Sequence, residues 1–212
     1  MIPLALLQMW FWLPSASPPS HPFSVEELAS SQDLTALVSD WKPAYEDIKS
    51  NDFEFTLATR FLQTGYDFEE YLTLCGIDWR QLPEFCMFSP DSAFASSIFQ
   101  VSQASRLGRL HVVREPDSEV LLIDLSSRRA QGVLEAGTTA SFQWGTWLSP
   151  SIALIGGIVE SYPNRHLAFW RIDTEQRYCA HYRGPMILKE KMPSVFAAFS
   201  RWRAIKFPNL LE

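Results

Sequence analysis

Cys179 and His181 stand two residues apart in a stretch of strand-like composition, so both side chains would leave the same face of a β-strand. That pattern suits two chemistries: with ligands from elsewhere the pair could hold a metal, and by itself it could be a thiol nucleophile with an imidazole base. Spacing does not supply the hydrogen-bonded geometry that activates a thiol, and a zinc site needs about four ligands. Cys75 and Cys86 stand beside no such partner. His111 and His166, with the acidic residues Glu115, Asp117, Glu119 and Asp124, form a second group that could move a proton or hold a cation. Acidic residues around a turn are more commonly solvated, and no base is oriented on a nucleophile by the spacing. Gly156-Gly157 lacks the glycine pattern and the Lys-Ser/Thr of a phosphate loop, and reads as a bend or bulge.

Recognition chemistry gives a different set of candidates. Trp144 and Trp147, three apart around Gly145, could present an aromatic surface, and Glu160, Asp173 and Glu175 could form an acidic rim beside it. Arg201-Trp202-Arg203 with Lys206 is a possible phosphate edge, but cations in the last turn of a helix also complement its dipole. The formal charge of −6 gives no long-range attraction for nucleic acid or anionic lipid, and a basic protein partner fits better.

Three irregularly spaced cysteines in 212 residues make neither a disulfide scaffold nor a structural zinc site, so a reducing, cytoplasmic setting is the default. The apolar run Ile2–Leu13, followed by Pro14-Ser-Ala-Ser-Pro-Pro-Ser20, superficially resembles a signal peptide. It lacks Lys or Arg near its start, and it is too short for a membrane span of roughly 20 residues. Residues 1–22 are therefore read as an apolar arm and Pro/Ser linker, with a secreted or envelope-associated protein as an alternative.

The elements that would position these side chains suggest a single α+β domain over 23–212: helical over 23–90, β-rich over 91–190, and closed by a helix at about 194–204. Ser24 with Glu27 has capping-box spacing, and Leu34, Leu37, Val38 and Trp41 mark one helical face. Phe53, Leu57 and Phe61 predict a helix over 52–63, and Asp67 with Glu70 caps another that ends at Gly76. Strands are expected at 95–101, 109–114, 119–125, 131–135, 140–147 and 151–160, with a hairpin through Arg114–Ser118. A second hairpin, 166–172 with 177–183, turns at Asp173-Thr-Glu-Gln176. Val195, Phe196, Phe199 and Trp202 form the stripe of the last helix, with Ser194 as its candidate N-cap.

In Ile155-Gly156, Ala168-Phe-Trp-Arg-Ile-Asp173 and Pro193-Ser-Val-Phe-Ala-Ala-Phe199, preceded far upstream by Leu82-Pro83, the chain resembles the SMI1/KNR4, or SUKH-type, superfamily. The resemblance implies an α+β domain used for protein binding, including toxin neutralisation by immunity proteins, and it transfers no catalytic residue. The sequence thus favours a noncatalytic protein-binding module, an immunity or adaptor protein acting by occlusion, without cofactor, metal or stable membrane span. A small hydrolase or transferase built on Cys179 or a histidine is the alternative.

Overall fold

A computed structural model describes residues 52–61, 65–103, 110–112, 118–136 and 140–210. Two five-stranded antiparallel sheets dominate it. The strands are β1 (Glu54–Arg60), β2 (Tyr66–Asp67), β3 (Met87–Phe88), β4 (Phe94–Ser97), β5 (Val101–Gln103), β6 (Leu110–Val112), β7 (Ser118–Asp124), β8 (Arg129–Ala136), β9 (Ala140–Ser149), β10 (Ile152–Ser161), β11 (Asn164–Asp173) and β12 (Tyr178–Met186). The first sheet has the order β1-β12-β11-β10-β9 and the second β2-β8-β7-β4-β3, while β5 and β6 pair separately. Among the described residues two α-helices accompany them, α1 (Phe68–Cys75) and α2 (Met192–Lys206).

The expected helical half over 23–90 is corrected by this architecture. The helices expected at 24 and 34–41, and the arm and linker at 1–22, lie outside the described residues. Where a helix was expected over 52–63, Glu54–Arg60 is a strand paired antiparallel with β12. A register shift between Phe55 and Leu57 adds one residue, so the apolar spacing imitates a helical stripe although the backbone is extended. Leu57, which the helical pattern placed in the core, is 50% exposed, and Ala58 is buried instead. Helix α1 forms as its cap predicts: the Asp67 carboxylate accepts from the amides of Glu69 (2.9 Å) and Glu70 (3.2 Å), and Gly76 ends the helix at φ 69°.

The hairpin expected through Arg114–Ser118 does not form among the described residues. Strand β6 pairs with β5, and β7 pairs with β4 and β8. Its partner on the second sheet is reached instead through the turn Leu125–Arg128, which the Asp124 carboxylate organises. In the C-terminal half β10 and β11 pair in unbroken register from Ile152–Asp173 to Ser161–Asn164. Helix α2 begins at Met192 with Pro193 in its first turn, so Ser194 lies inside the helix and does not cap it.

Both faces of the first sheet are covered, as the mixed composition of β11 suggests. On one face the indole of Trp144 meets Phe169 edge-on and lies flat over Gly156, where a Cβ would stand 2.0 Å from the ring. Only glycine leaves room for the ring there. On the other face Trp147 reaches across to the second sheet: its Nε1–H donates to the Met87 carbonyl at 3.0 Å, and its ring stacks on Phe94. Helix α2 packs along β9, with Val195, Ala198, Phe199 and Trp202 buried.

Candidate binding cleft between the sheets

Beside the turn from β11 into β12 a cleft of about 440 Å³ is lined by residues of both sheets. Its apolar lining comes from Phe61 beyond β1, Phe94 on β4 and Leu122 on β7. Asp124, Ser127, Arg129 and Gln131 contribute from β7, β8 and the turn between them, and Thr174, Glu175 and Arg177 from the β11–β12 turn. The lining mixes these apolar side chains with seven polar or charged ones, and its volume lies within the range of ligand sites.

Both turns are built the same way, which the linear sequence states as Asp124-Leu-Ser-Ser-Arg128 and Asp173-Thr-Glu-Gln-Arg177. In the first, Asp124 Oδ1 accepts from the Ser126 amide (2.9 Å), the Ser126 hydroxyl (2.7 Å) and the Ser127 amide (3.1 Å). Partial burial pushes this carboxyl up, but the serine hydrogen bonds outweigh it and hold Asp124 below its ordinary range. In the second, Asp173 Oδ1 accepts from the Gln176 amide at 2.9 Å, with Arg171 Nη1 3.5 Å from Oδ2. Thr174 ties the same turn to the Ser151 carbonyl through its amide (2.9 Å) and its hydroxyl (3.2 Å). The turn ends with the Arg177 carbonyl accepting from the Phe61 amide at 3.1 Å.

The residues singled out from sequence fall in several places. Trp144 and Trp147 are 1% and 8% exposed, which makes both core side chains and removes them as surface anchors. Glu160 is ion-paired to Arg165 at 2.7 Å, near the β10–β11 turn. Glu175 lies at the opposite end of β11, a ten-residue strand that spans roughly 30 Å, so no single acidic rim joins them. Asp173 is buried and shapes its turn, and of the five recognition candidates only Glu175 faces the cleft.

The chemical candidates separate as well. Cys179 is 3% exposed, and burial alone drives its thiol pKa upward, which suppresses the thiolate a nucleophile requires. His181 Nδ1 is 2.6 Å from Thr56 Oγ1, and its ring stacks on Trp170. His166 Nδ1 bonds the Gly184 carbonyl at 3.2 Å. His111 is half-buried on β6, Glu119 lies against Gly132, and Glu115 and Asp117 lie outside the described residues. Among the described residues no three His, Cys, Asp or Glu side chains come together as a metal site. No helix among them is long and apolar enough to cross a membrane, which says nothing of spanning by strands.

Sequence reasoning missed Phe61, Phe94, Leu122, Arg129 and Arg177. A usable signal for Arg177 was present in the two Asp-x-x-x-Arg turns, whose last residue takes a left-handed conformation in both (φ 55° at Arg128, 57° at Arg177), whereas Arg129 follows its turn and was marked by no such pattern. Comparison of the chain with protein-family models, with curated proteins and with solved structures gives no match.

Proposed function

We propose that this protein is a noncatalytic binding module, and that the inter-sheet cleft is where it takes hold of a protein partner. The observation that carries this reading is the rim: Glu175 and Arg177 stand exposed above an apolar lining, and neither forms an ion pair or side-chain hydrogen bond among the described residues. Charged groups beside apolar surface give orientation and selectivity to a contact whose affinity comes from burial. The rigid turn supports the same role, because Asp173 and Thr174 fix the backbone that presents both side chains. Protein binding is also what the C-terminal resemblance implies. The immunity or adaptor role follows in this reading as occlusion: the partner's own functional surface is covered while the cleft holds it.

Affinity capture from the native host tests the reading when three baits are compared. A partner held by the wild type and by Glu160→Ala, but lost from the double variant Glu175→Ala/Arg177→Ala, supports the cleft. A partner held equally by all three rejects it, and circular dichroism of each bait separates lost binding from lost folding.

A further inference from the structure

Arg128 and Arg177 occupy equivalent places in two similar turns, and both have a positive φ that suits glycine better. A non-glycine residue in this conformation costs about 1–2 kcal/mol, so each side chain should supply a compensating interaction. Arg128 does so within the fold: its guanidinium lies 5.4 Å from the centre of the Trp79 ring and pairs with Glu69. Arg177 does not. Its carbonyl accepts from the Phe61 amide, which glycine could do equally, and its exposed guanidinium has no partner among the described residues. The side chain that the fold does not use stands on the cleft.

The hydrogen-bonding capacity left in the cleft is unbalanced toward donors. Asp124 Oδ1 already accepts three bonds from its own turn. Among the described residues, Arg129 donates Nη2 to the Gly65 carbonyl, which leaves four of the five N–H groups of a guanidinium, and Arg177 keeps all five. Against these two guanidinium groups the cleft sets two carboxylates, Glu175 and Asp124, and Asp124 has only Oδ2 left outside its own turn. Resting on the reading of the cleft as a docking site, we infer that it recognises a carboxylate next to a large apolar side chain, as presented by the C-terminus of a partner polypeptide. Arg177 and Arg129 receive the carboxylate, for which guanidinium geometry is suited. The terminal side chain covers Phe61, Phe94 and Leu122, and Glu175 accepts from a peptide N–H of the entering segment.

Fluorescence polarisation on the full chain tests this with labelled tetrapeptides ending in Phe, Leu or Met, each made as the free acid and as the C-terminal amide. The acid should bind roughly tenfold or more tightly, which is the lower end of what a hydrogen bond to a charged group contributes. Arg177→Gly should abolish that preference while leaving the thermal midpoint unchanged or higher, because glycine relieves the left-handed backbone. Equal binding of acid and amide overturns the carboxylate inference and leaves docking at the cleft standing. Failure of both sets to bind overturns the inference, and the three-bait capture then decides the docking reading separately. A preference that survives Arg177→Gly shows that Arg177 is not the receptor for the carboxylate. Competition by free phenylalanine as strong as by the peptide assigns the site to a small molecule and overturns the partner C-terminus.

Discussion

His181 shows how one side chain can set the acid response of a fold. The Thr56 hydroxyl lies 3.0 Å from the His181 carbonyl, to which it donates, so the 2.6 Å contact between Oγ1 and Nδ1 uses the imidazole N–H as donor. The lone pair then falls on Nε2, which is buried without a partner among the described residues. Protonation would place an unaccepted N–H there, and burial first, then the nearby Arg183 cation, lower the pKa from 6.5 to about 4. The charged neighbours are Arg183 and its ion-pair partner Glu54, at 2.9 Å from it. A histidine held neutral in the folded state binds fewer protons than in the unfolded chain between these values. Its contribution is therefore complete above pH 6.5 and is lost as pH falls toward 4, with a slope of at most about 1.4 kcal/mol per pH unit. His181→Gln, which can keep the Thr56 hydrogen bond, should flatten the urea midpoint against pH across that window; an unchanged slope would assign the titration to another group. Gly156 offers a second residue-scale test whose sign decides. Gly→Ala in an unstrained strand stabilises by restricting the unfolded chain, but here the Trp144 ring fills the space of a Cβ. Gly156→Ala should destabilise by about 1–3 kcal/mol in urea unfolding.

At the scale of elements, α1 carries the clearest local instruction. Asp67 satisfies two amides that an eight-residue helix cannot satisfy itself. Asp67→Ala should lower stability by about 1 kcal/mol, and Asp67→Asn, which retains the accepting oxygen, should recover most of it in chemical denaturation. This helix was legible in the sequence because cap, periodicity and terminating glycine agree. The long strands β9 to β12 were legible for a comparable reason, since apolar side chains run along both faces and a polar turn separates β11 from β12. Strand β1 was not. Its bulge spaces Phe55, Leu57 and Ala58 irregularly, and only β12 alongside defines which of them turn inward. The pairing of β7 was equally hidden, because a strand's composition does not name its neighbour. Of the cleft, the polar turn 173–176 and Glu175 could be read from sequence. The lining residues Phe61, Phe94 and Leu122 could not, being far apart in the chain and brought together by the packing of two sheets.

The whole molecule depends on how firmly those sheets are joined, because the cleft is lined from both of them. Trp147 is central to the join: it leaves the first sheet from β9, stacks on Phe94 of β4 and donates to the Met87 carbonyl of β3. Met87 is itself buried, so removing the indole N–H takes one hydrogen bond from a buried strand carbonyl that also pairs with β4. A lost bond of this kind costs about 0.5–1.5 kcal/mol, and the smaller ring of Trp147→Phe adds lost packing. The variant should therefore unfold at a lower urea concentration. Its denaturant slope is the more informative quantity, since this slope scales with the surface exposed on unfolding. If the sheets form one cooperative unit, the slope is unchanged and fluorescence and circular dichroism give coincident transitions. A reduced slope, or two transitions, would show that the second sheet separates before the first unfolds. Peptide binding to Trp147→Phe under native conditions completes the argument: a cleft defined by the join should weaken toward its ligand although no cleft-lining residue has changed.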